Sequence, residues 1–394
     1  MERIRDHFAA QIKALRMPNI NAQVNQQNQF LRYKSLFAFM AKRQPQLGVE
    51  VAQAYSNTMR WYYTSHFTQY HAAISKLKLF ITDGKYVLGE DSTASARSRN
   101  AGSGPAHDPF TLGRRIDILR SPSRTAMPTN AAEESKNPHH IETPFLAYNL
   151  ALIDNASFEY TFLTTLFTPC IPISALNKSF TTIFAPALSL GTTLTRTLTT
   201  DSFDGIGILL LVRLTQHFAF TLQRRKVPAL ESYINGTSML LWPRFQLVLD
   251  AHCDSLRKLA TSLPTRPGGG ASSAAALLIG GGSSNVAAAS TAPHPLTQRF
   301  SSFVYAVLEL SADNGDDIEP VENSLGRLRN EFEAFLAKLG AQFGAGERGK
   351  RDRERMLGNN WALCLAVLAG ANGRLAEEWR GHFETLVEGG DRRR

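Results

Sequence analysis

The amino-acid sequence predicts an all-α fold: elongated, stacked helical bundles with disordered or low-complexity insertions. Three observations point there. Apolar residues recur at spacings of three and four wherever there is periodicity, which places them along one flank of a helix. No sustained apolar–polar alternation bounded by Asn-Gly or Asp-Gly turns occurs, so there is almost no strand signal. Prolines stand where helices open, at Pro45, Pro144 and Pro228, where a missing N–H costs nothing.

Phe30, Tyr33, Phe37 and Met40 form the first stripe. From Pro45 a second stripe runs through Leu47, Val51, Tyr55, Met59, Tyr62, His66, Tyr70, Ile74 and Leu77. It predicts one long helix that stops near Asp83-Gly84, where glycine supplies the stop. Residues 89–142 are rich in Ser, Ala, Asn, Pro and Arg and poor in apolar anchors, which reads as a loop or disordered insertion. A small island within it, Phe110-Thr111-Leu112-Gly113, is expected to dock locally. Thr143-Pro144 reads as an N-cap followed by a proline, leading the stripe Phe145, Tyr148, Leu152, Phe162 and Leu166. The stretch from Cys170 to Thr200, with Pro172, Pro186 and many threonines, predicts helical pieces.

Asp201 is placed to cap a strongly apolar helix through Ile206, Leu210, Leu214 and Phe218, and Arg224-Arg225-Lys226 at its end complements the helix dipole. Pro228 opens a helix through Leu230, Tyr233 and Leu241. Pro243 then lies inside the pattern Leu241, Phe245, Val248, Leu249, His252 and Leu256, and predicts a kink or a restart. Residues 264–295, with glycine triplets at 268–270 and 280–282 among Ala and Ser, read as a flexible linker. Helices resume with Phe300, Phe303, Val304, Val307 and Leu308. The clearest heptad follows in Val321, Leu325, Leu328, Phe332, Phe335, Leu339 and Phe343. Two last stripes are Leu357, Trp361, Cys364 and Leu368, then Leu375, Trp379, Phe383 and Leu386. The sequence thus divides into an N-terminal helical segment (1–88), the insertion (89–142), a central bundle (143–263), the linker (264–295) and a C-terminal bundle (296–390).

With 394 residues, 43% of them hydrophobic, the chain can bury two or three cores, and wholesale disorder or a collagen-like composition is excluded. Three widely spaced cysteines, Cys170, Cys253 and Cys364, allow no disulfide framework or zinc spacing and suit a reducing compartment. The formal net charge is +9, and residues 1–80 hold 11 basic against 3 acidic residues, so the excess is an N-terminal property. Arg3, Arg5, Lys13 and Arg16 form the candidate basic surface, able to attract an anionic membrane through salt-sensitive attraction. No Arg/Gly tract, helix-turn-helix signature or zinc finger supports nucleic-acid binding. Ile206–Val212 is a short apolar run broken by Arg213, Trp361–Ala369 is shorter than a span, and Met1–His7 lacks an apolar signal core. The expectation is a soluble cytosolic or membrane-peripheral protein whose sequons at Asn155, Asn177 and Asn235 stay unmodified.

No residue set assembles a nucleophile, a base and an oxyanion donor. Asp204-Gly205-Ile206-Gly207 begins like a dinucleotide fingerprint, but Leu210 and the lack of a preceding strand make it a helix start with small residues for close packing. The glycine triplets lack the Gly-Lys-Ser/Thr of a phosphate loop. His66 and His71 fall on different helix faces, His139-His140 reads as solvated, and His252-Cys253-Asp254 points three ways around a helix. No catalytic, cofactor-binding or metal-binding residue is assigned.

Several segments carry a resemblance. Ala151-Leu152-Ile153-Asp154-Asn155 is followed by Glu159-Tyr160; Val227-Pro228-Ala229-Leu230 and Tyr233 precede Leu240-Leu241-Trp242-Pro243-Arg244-Phe245. Phe110-Thr111-Leu112-Gly113-Arg114 lies upstream, as does an aromatic stretch with Trp61-Tyr62-Tyr63 and Phe67 to Tyr70. In this order and spacing the chain resembles the vacuolar protein sorting-associated protein 52 family, from about Arg3 to Leu386. The resemblance implies a non-catalytic helical-rod subunit of the Golgi-associated retrograde protein (GARP) tethering complex and its endosomal relative (EARP). It implies as partners the other GARP and EARP subunits, SNAREs and small GTPases. It also implies a peripheral place on the cytosolic face of the trans-Golgi network and endosomes. Family members begin with a long coiled coil and end with further helices, so the chain is expected to be a partial member with an expanded linker. Trp242, Pro243, Arg244 and Phe245 are the candidate contact surface, although core aromatics with a bend at Pro243 fit the same residues. The alternative is a basic peripheral membrane-binding helical adaptor acting on its own through residues 1–80.

Overall fold

The apolar stripes fold as the helices they encode. The computed structural model describes residues 1–16, 22–80, 82–90, 108–120, 125–263, 290–312, 319–344 and 346–391. In chain order the helices are α1 (Glu2–Ala14), α2 (Ala22–Asn25), α3 (Lys34–Arg43), α4 (Pro45–Ile74), α5 (Asp117–Arg120), α6 (Thr129–Glu134) and α7 (Glu142–Phe167). They continue with α8 (Ile173–Thr199), α9 (Gly205–Arg225), α10 (Glu231–Ser262), α11 (Pro295–Ser311), α12 (Glu319–Gly340), α13 (Glu347–Leu368) and α14 (Arg374–Asp391). The only β-type pairing among the described residues is an isolated parallel bridge between Leu79 and His139. The chain is all-α, as its periodicity requires.

The chain groups into two units, each discontinuous in sequence. The first holds Met1–Phe80, Ser121–Thr200 and Leu211–Leu241; the second holds Ile81–Arg120, Asp201–Leu210 and Trp242–Arg394. Neither coincides with one of the five sequence segments.

In the first unit α4 packs most extensively on α8, and α8 also packs on α7. Rings fill the space between them: Tyr63 lies 4.5 Å from Phe184, Tyr55 lies 5.2 Å from Phe162, and Phe37 meets Phe167 edge-on at 5.3 Å. Cys170–Thr200 gives one continuous helix and not separate pieces. Its threonines return their hydroxyls to the carbonyl four residues back (Thr181, Thr182, Thr192, Thr195 and Thr199 among them), so they do not compete with the helix. Burial of Leu176, Phe180, Ile183, Phe184 and Leu194 then outweighs Pro186 inside the helix. Gly191 sits where a Cβ would overlap the Tyr233 hydroxyl and come within 2.9 Å of Tyr148.

In the second unit α13 packs against α11, α12 and α14. Phe300 stacks on Phe332 at 3.9 Å, and Trp361 stacks on Phe383 at 5.7 Å. Buried Asn360 ties the start of α11 to α13: its Oδ1 accepts from the His294 N–H at 2.9 Å and the Thr297 hydroxyl at 2.5 Å, while its Nδ2 donates to the Met356 carbonyl. The clearest heptad is buried from Val321 to Phe335, Leu339 is half-buried, and α12 ends before Phe343.

Several boundaries shift for physical reasons. α4 stops at Ile74, short of Asp83, because the backbone beyond it turns to pair with residue 139: the His139 N–H donates to Lys78 and the Phe80 N–H to His139. α7 begins at Glu142, so Pro144 lies inside the first turn, where helix N–H groups lack partners anyway. α9 is capped by Asp204 and not by Asp201. α10 runs through Pro243 without a break in its helical assignment. The insertion at 89–142 contains α5, α6 and buried Phe110, Leu112 and Arg115; its residues 91–107 and 121–124, like 264–289 of the linker, lie outside the described residues. α9 is also long and apolar enough to cross a membrane, yet Ile206, Ile208, Leu209, Leu210, Leu211 and Leu214 are all buried within the protein.

α9 ends in a Schellman turn, in which the Val227 N–H reaches the Leu222 carbonyl and the Lys226 N–H reaches that of Gln223, each at 3.0 Å. That closure holds Lys226 at φ +58°, a left-handed conformation that a Cβ opposes and glycine does not. Replacing Lys226 by glycine is therefore expected to raise stability by about 0.5–1 kcal/mol, measured as a higher urea midpoint with an unchanged slope.

Candidate functional site

α7 places a carboxylate inside the first unit with no cation bonded to it among the described residues. Glu159 is fully buried and accepts from Gln26 Nε2 at 2.8 Å, the Tyr55 hydroxyl at 2.7 Å and the Tyr63 hydroxyl at 2.9 Å. Gln26 also bonds the Tyr55 hydroxyl. Burial, the dominant influence, raises the Glu159 carboxyl above the ordinary carboxylate range, while the three hydrogen bonds pull it back. Burial and the charge of Glu159 push Tyr55 and Tyr63 well above the usual phenol range. One turn before it, Asn155 accepts from Gln23 Nε2 at 3.0 Å, and Asp154 pairs with Arg225 at 2.7 Å. One stretch of α7 thus fastens residues 23–26, α4 and the end of α9 in this unit.

In the second unit the fastening is ionic. The Arg115 guanidinium meets Asp204 with both arms, Nη1 to Oδ1 at 3.1 Å and Nη2 to Oδ2 at 2.6 Å, and both side chains are buried. Asp204 Oδ1 also accepts from the Gly207 N–H at 2.8 Å and so caps α9. A Cβ on Gly207 would stand 2.6 Å from both Arg115 Nη2 and Asp204 Oδ2, so glycine is required for this approach. The docked island supports the same corner: Phe110 is buried, edge-on to His252 at 5.9 Å and to Phe303 at 6.4 Å. Burial pulls His252 down to about 3, leaving it neutral to accept from the Leu88 N–H at 3.3 Å.

The sequence-predicted surfaces are placed as follows. Phe245 is fully buried, and Arg244 donates Nη2 to the Ser202 carbonyl at 2.8 Å while lying 4.9 Å from the Phe203 ring. Trp242 is half-buried against Phe245, and Pro243 is exposed. At the N-terminus Arg3, Lys13 and Arg16 are exposed, but Arg5 pairs with Asp6 at 2.9 Å and Arg16 donates to Thr58 at 3.3 Å. A helix turns 100° per residue, so Arg3 and Arg5 lie about 200° apart and share no face. His66 packs on Tyr62 at 4.2 Å and His71 lies edge-on to Tyr148. His139 and His140, expected to be solvated, are half-buried; His139 lies 2.6 Å from the Ser135 hydroxyl and His140 is 4.7 Å from Phe80. Glu159, Tyr55, Tyr63, Asp154, Asn155, Arg225 and Asp204 all stand in a stripe or a motif, whereas Gln23, Gln26 and Arg115 do not. Asn149, which accepts the Tyr233 hydroxyl at 2.6 Å inside the first unit, carries no signal that pattern reading uses.

A family model described as "Vps52, C-terminal" matches residues 57–391. The chain belongs to the Vps52 family. It is 30% identical to vacuolar protein sorting-associated protein 52 of Schizosaccharomyces pombe, covering 98% of this chain and 71% of that protein. Against the Saccharomyces cerevisiae protein of the same name it is 30% identical, covering 91% of this chain and 59% of the relative. The Homo sapiens homolog is 26% identical, with 93% of this chain and 47% of that protein covered. The chain therefore spans between 47% and 71% of the length of these Vps52 relatives. The family and these relatives are named for vacuolar protein sorting and not for an enzyme activity.

The segments that carried the Vps52 resemblance hold its latches. Asp154, Asn155 and Glu159 of α7 are the residues just described, Phe110 to Gly113 leads to Arg115, and Val227-Pro228 makes the turn between α9 and α10. Their chemistry is that of assembly.

Replacing Glu159 by leucine orphans three buried donors and is expected to cost about 3–5 kcal/mol, against a much smaller loss for Glu159→Gln, which keeps an acceptor. The folded carboxyl titrates above its unfolded value, so its stabilising contribution is full at pH below the ordinary carboxylate range and declines as pH rises through the folded titration. The stability difference between the wild type and Glu159→Gln should fall with rising pH when urea unfolding is measured at several pH values. In the second unit, Arg115→Met and Asp204→Asn are each expected to cost about 3–5 kcal/mol by leaving a buried partner unmatched. The double variant should cost less than their sum by about 1–3 kcal/mol, measured by the same unfolding series as a double-mutant cycle.

Proposed function

We propose that this chain is a non-catalytic subunit of a multisubunit vesicle-tethering complex of the GARP/EARP kind, acting in retrograde transport from endosomes to the trans-Golgi network. Its work is to hold other proteins through helix faces: the remaining tethering subunits, SNAREs and small GTPases, at the cytosolic face of those membranes. Membership in the Vps52 family carries this reading. The structure adds two physical supports. The titratable groups that pattern and burial single out are used to fasten helices, and the long helices present exposed apolar side chains, Trp61, Phe220 and Met239 in the first unit and Leu247 in the second. Such side chains on a helix are what a partner helix packs against. In the Trp242–Phe245 segment, Pro243 and the open part of Trp242 are what a partner reaches.

The test is affinity purification of the tagged full-length gene product from its own cells. The other GARP subunits should co-purify in comparable amounts, and a preparation free of them overturns the reading. The independent membrane adaptor rests on exposed Arg3, Lys13 and Arg16. It predicts flotation of the purified chain with anionic vesicles, lost as salt screens the attraction; salt-insensitive or absent flotation removes it.

A further inference from the structure

We propose that Asn372 is a site of spontaneous covalent modification, where the turn between α13 and α14 of the second unit converts asparagine to aspartate or isoaspartate through a cyclic imide. The sequence holds three Asn-Gly pairs, at 235–236, 314–315 and 372–373. The structure separates the first from the last, and the middle pair lies outside the described residues. Asn235 and Gly236 stand inside α10, where the helix commits the Gly236 N–H to the carbonyl four residues back. Asn372 is exposed and stands between α13 and α14, outside any helix. Among the described residues neither its side-chain amide nor the Gly373 N–H has a hydrogen-bond partner. Gly373, at φ +97°, carries no Cβ to shield its nitrogen.

The reaction needs only these two residues and water. The Gly373 nitrogen attacks Asn372 Cγ, the new N–Cγ bond closes a five-membered ring, and the Cγ–Nδ2 bond breaks. The displaced amide nitrogen takes up the proton that the Gly373 nitrogen loses and leaves as ammonia. Water then opens the ring at either carbonyl. Opening at Cγ restores the backbone with an aspartate side chain. Opening at the backbone carbonyl leaves isoaspartate, in which the chain runs through Cβ and Cγ and gains one atom. The turn has little room for that atom: a Cβ on Gly373 would already stand 3.2 Å from Ala312 Cα and 3.4 Å from its Cβ. The chain is held on either side as well. Ala371 and Leu375 are buried, and Arg380 Nη1 donates to the Ala369 and Ala371 carbonyls at 3.2 Å each. Isoaspartate here displaces Gly373 from Ala312 and loosens α14. Aspartate only adds a negative charge beside the α14 N-terminus, where the helix dipole favours it. The site stands apart from the tethering proposal.

The experiment ages the purified full chain in mildly alkaline water enriched in heavy oxygen, then maps its peptides by proteolysis and mass spectrometry. The peptide holding residue 372 should exchange its amide NH2 for an OH carrying heavy oxygen and split into two chromatographic isomers. The peptide holding residue 235 should convert at least about ten-fold more slowly, because its Gly236 N–H must first leave the helix. The aged chain should show a lower urea midpoint than the fresh chain. Asn372→Gln, at an exposed position and with a longer side chain that closes the ring poorly, should abolish that loss. Fresh Asn372→Asp should unfold at the wild-type midpoint or slightly above it. Conversion at residue 372 no faster than at 235, a product lacking heavy oxygen or the second isomer, or an aged chain as stable as the fresh one overturns the proposal. So does an equal loss in aged Asn372→Gln or in fresh Asn372→Asp. The mass readout needs no variant, so the proposal can still be overturned where a substitution misfolds.

Discussion

A carboxylate buried among helices with no cation bonded to it among the described residues must find its compensation in hydrogen bonds, and Glu159 meets that demand with three. Burying such a charge unpaired costs more than the whole stability of a typical domain leaves to spare. Each donor comes from a different place in the sequence: Gln26 precedes α3, and Tyr55 and Tyr63 lie two turns apart on α4. The same arrangement therefore fixes the rotation of α4 and its register along α7. Apolar packing alone leaves such choices loose, because leucine and phenylalanine stripes tolerate sliding by a turn. Arg115 with Asp204 and Asn360 with Thr297 fix register within the second unit by the same rule. A buried polar group permits one arrangement of its neighbours and penalises the others.

Helix content was legible because burial leaves a period of 3.6 in the sequence, and the stripe from Leu47 shows it through Val51, Tyr55 and Met59; beyond these the buried face runs through Tyr63 and Phe67, while the stripe's Tyr62 and Tyr70 are half-buried and its His66 is exposed. Where that stripe ends was not legible. Leu77 continues the apolar spacing beyond Ile74, but the backbone after it pairs with His139, about sixty residues away, and no local pattern encodes a distant partner. The threonine-rich run to Thr199 misleads for another reason. Propensity counts each threonine against a helix, whereas here the hydroxyl returns to the carbonyl four residues back and the competition disappears. Asp201 and Asp204 are chemically equal candidates for a cap, and only the Gly207 N–H decides between them.

Candidate surfaces were the least legible part, since composition records how many charges a segment holds and not which side chains consume them. Arg5 and Arg16 share a segment with Arg3 and Lys13, yet one is held by Asp6 and the other reaches Thr58. The Trp242–Phe245 segment shows the same difficulty from the apolar side. Four adjacent residues on a helix turn through 300°, so such a run delivers some side chains inward and some outward. Phe245 goes in, Pro243 goes out, and Arg244 lies along the surface to the Ser202 carbonyl.

These facts bear on why a family of sorting proteins should be recognisable at 26–30% identity. A helical scaffold can exchange most surface and many core residues while volume and pattern are kept. What it cannot exchange singly is a buried polar contact, because removing one partner leaves the other unsatisfied. In this chain such contacts include those of Asp154, Asn155 and Glu159 on one helix, and that of Arg115 with Asp204.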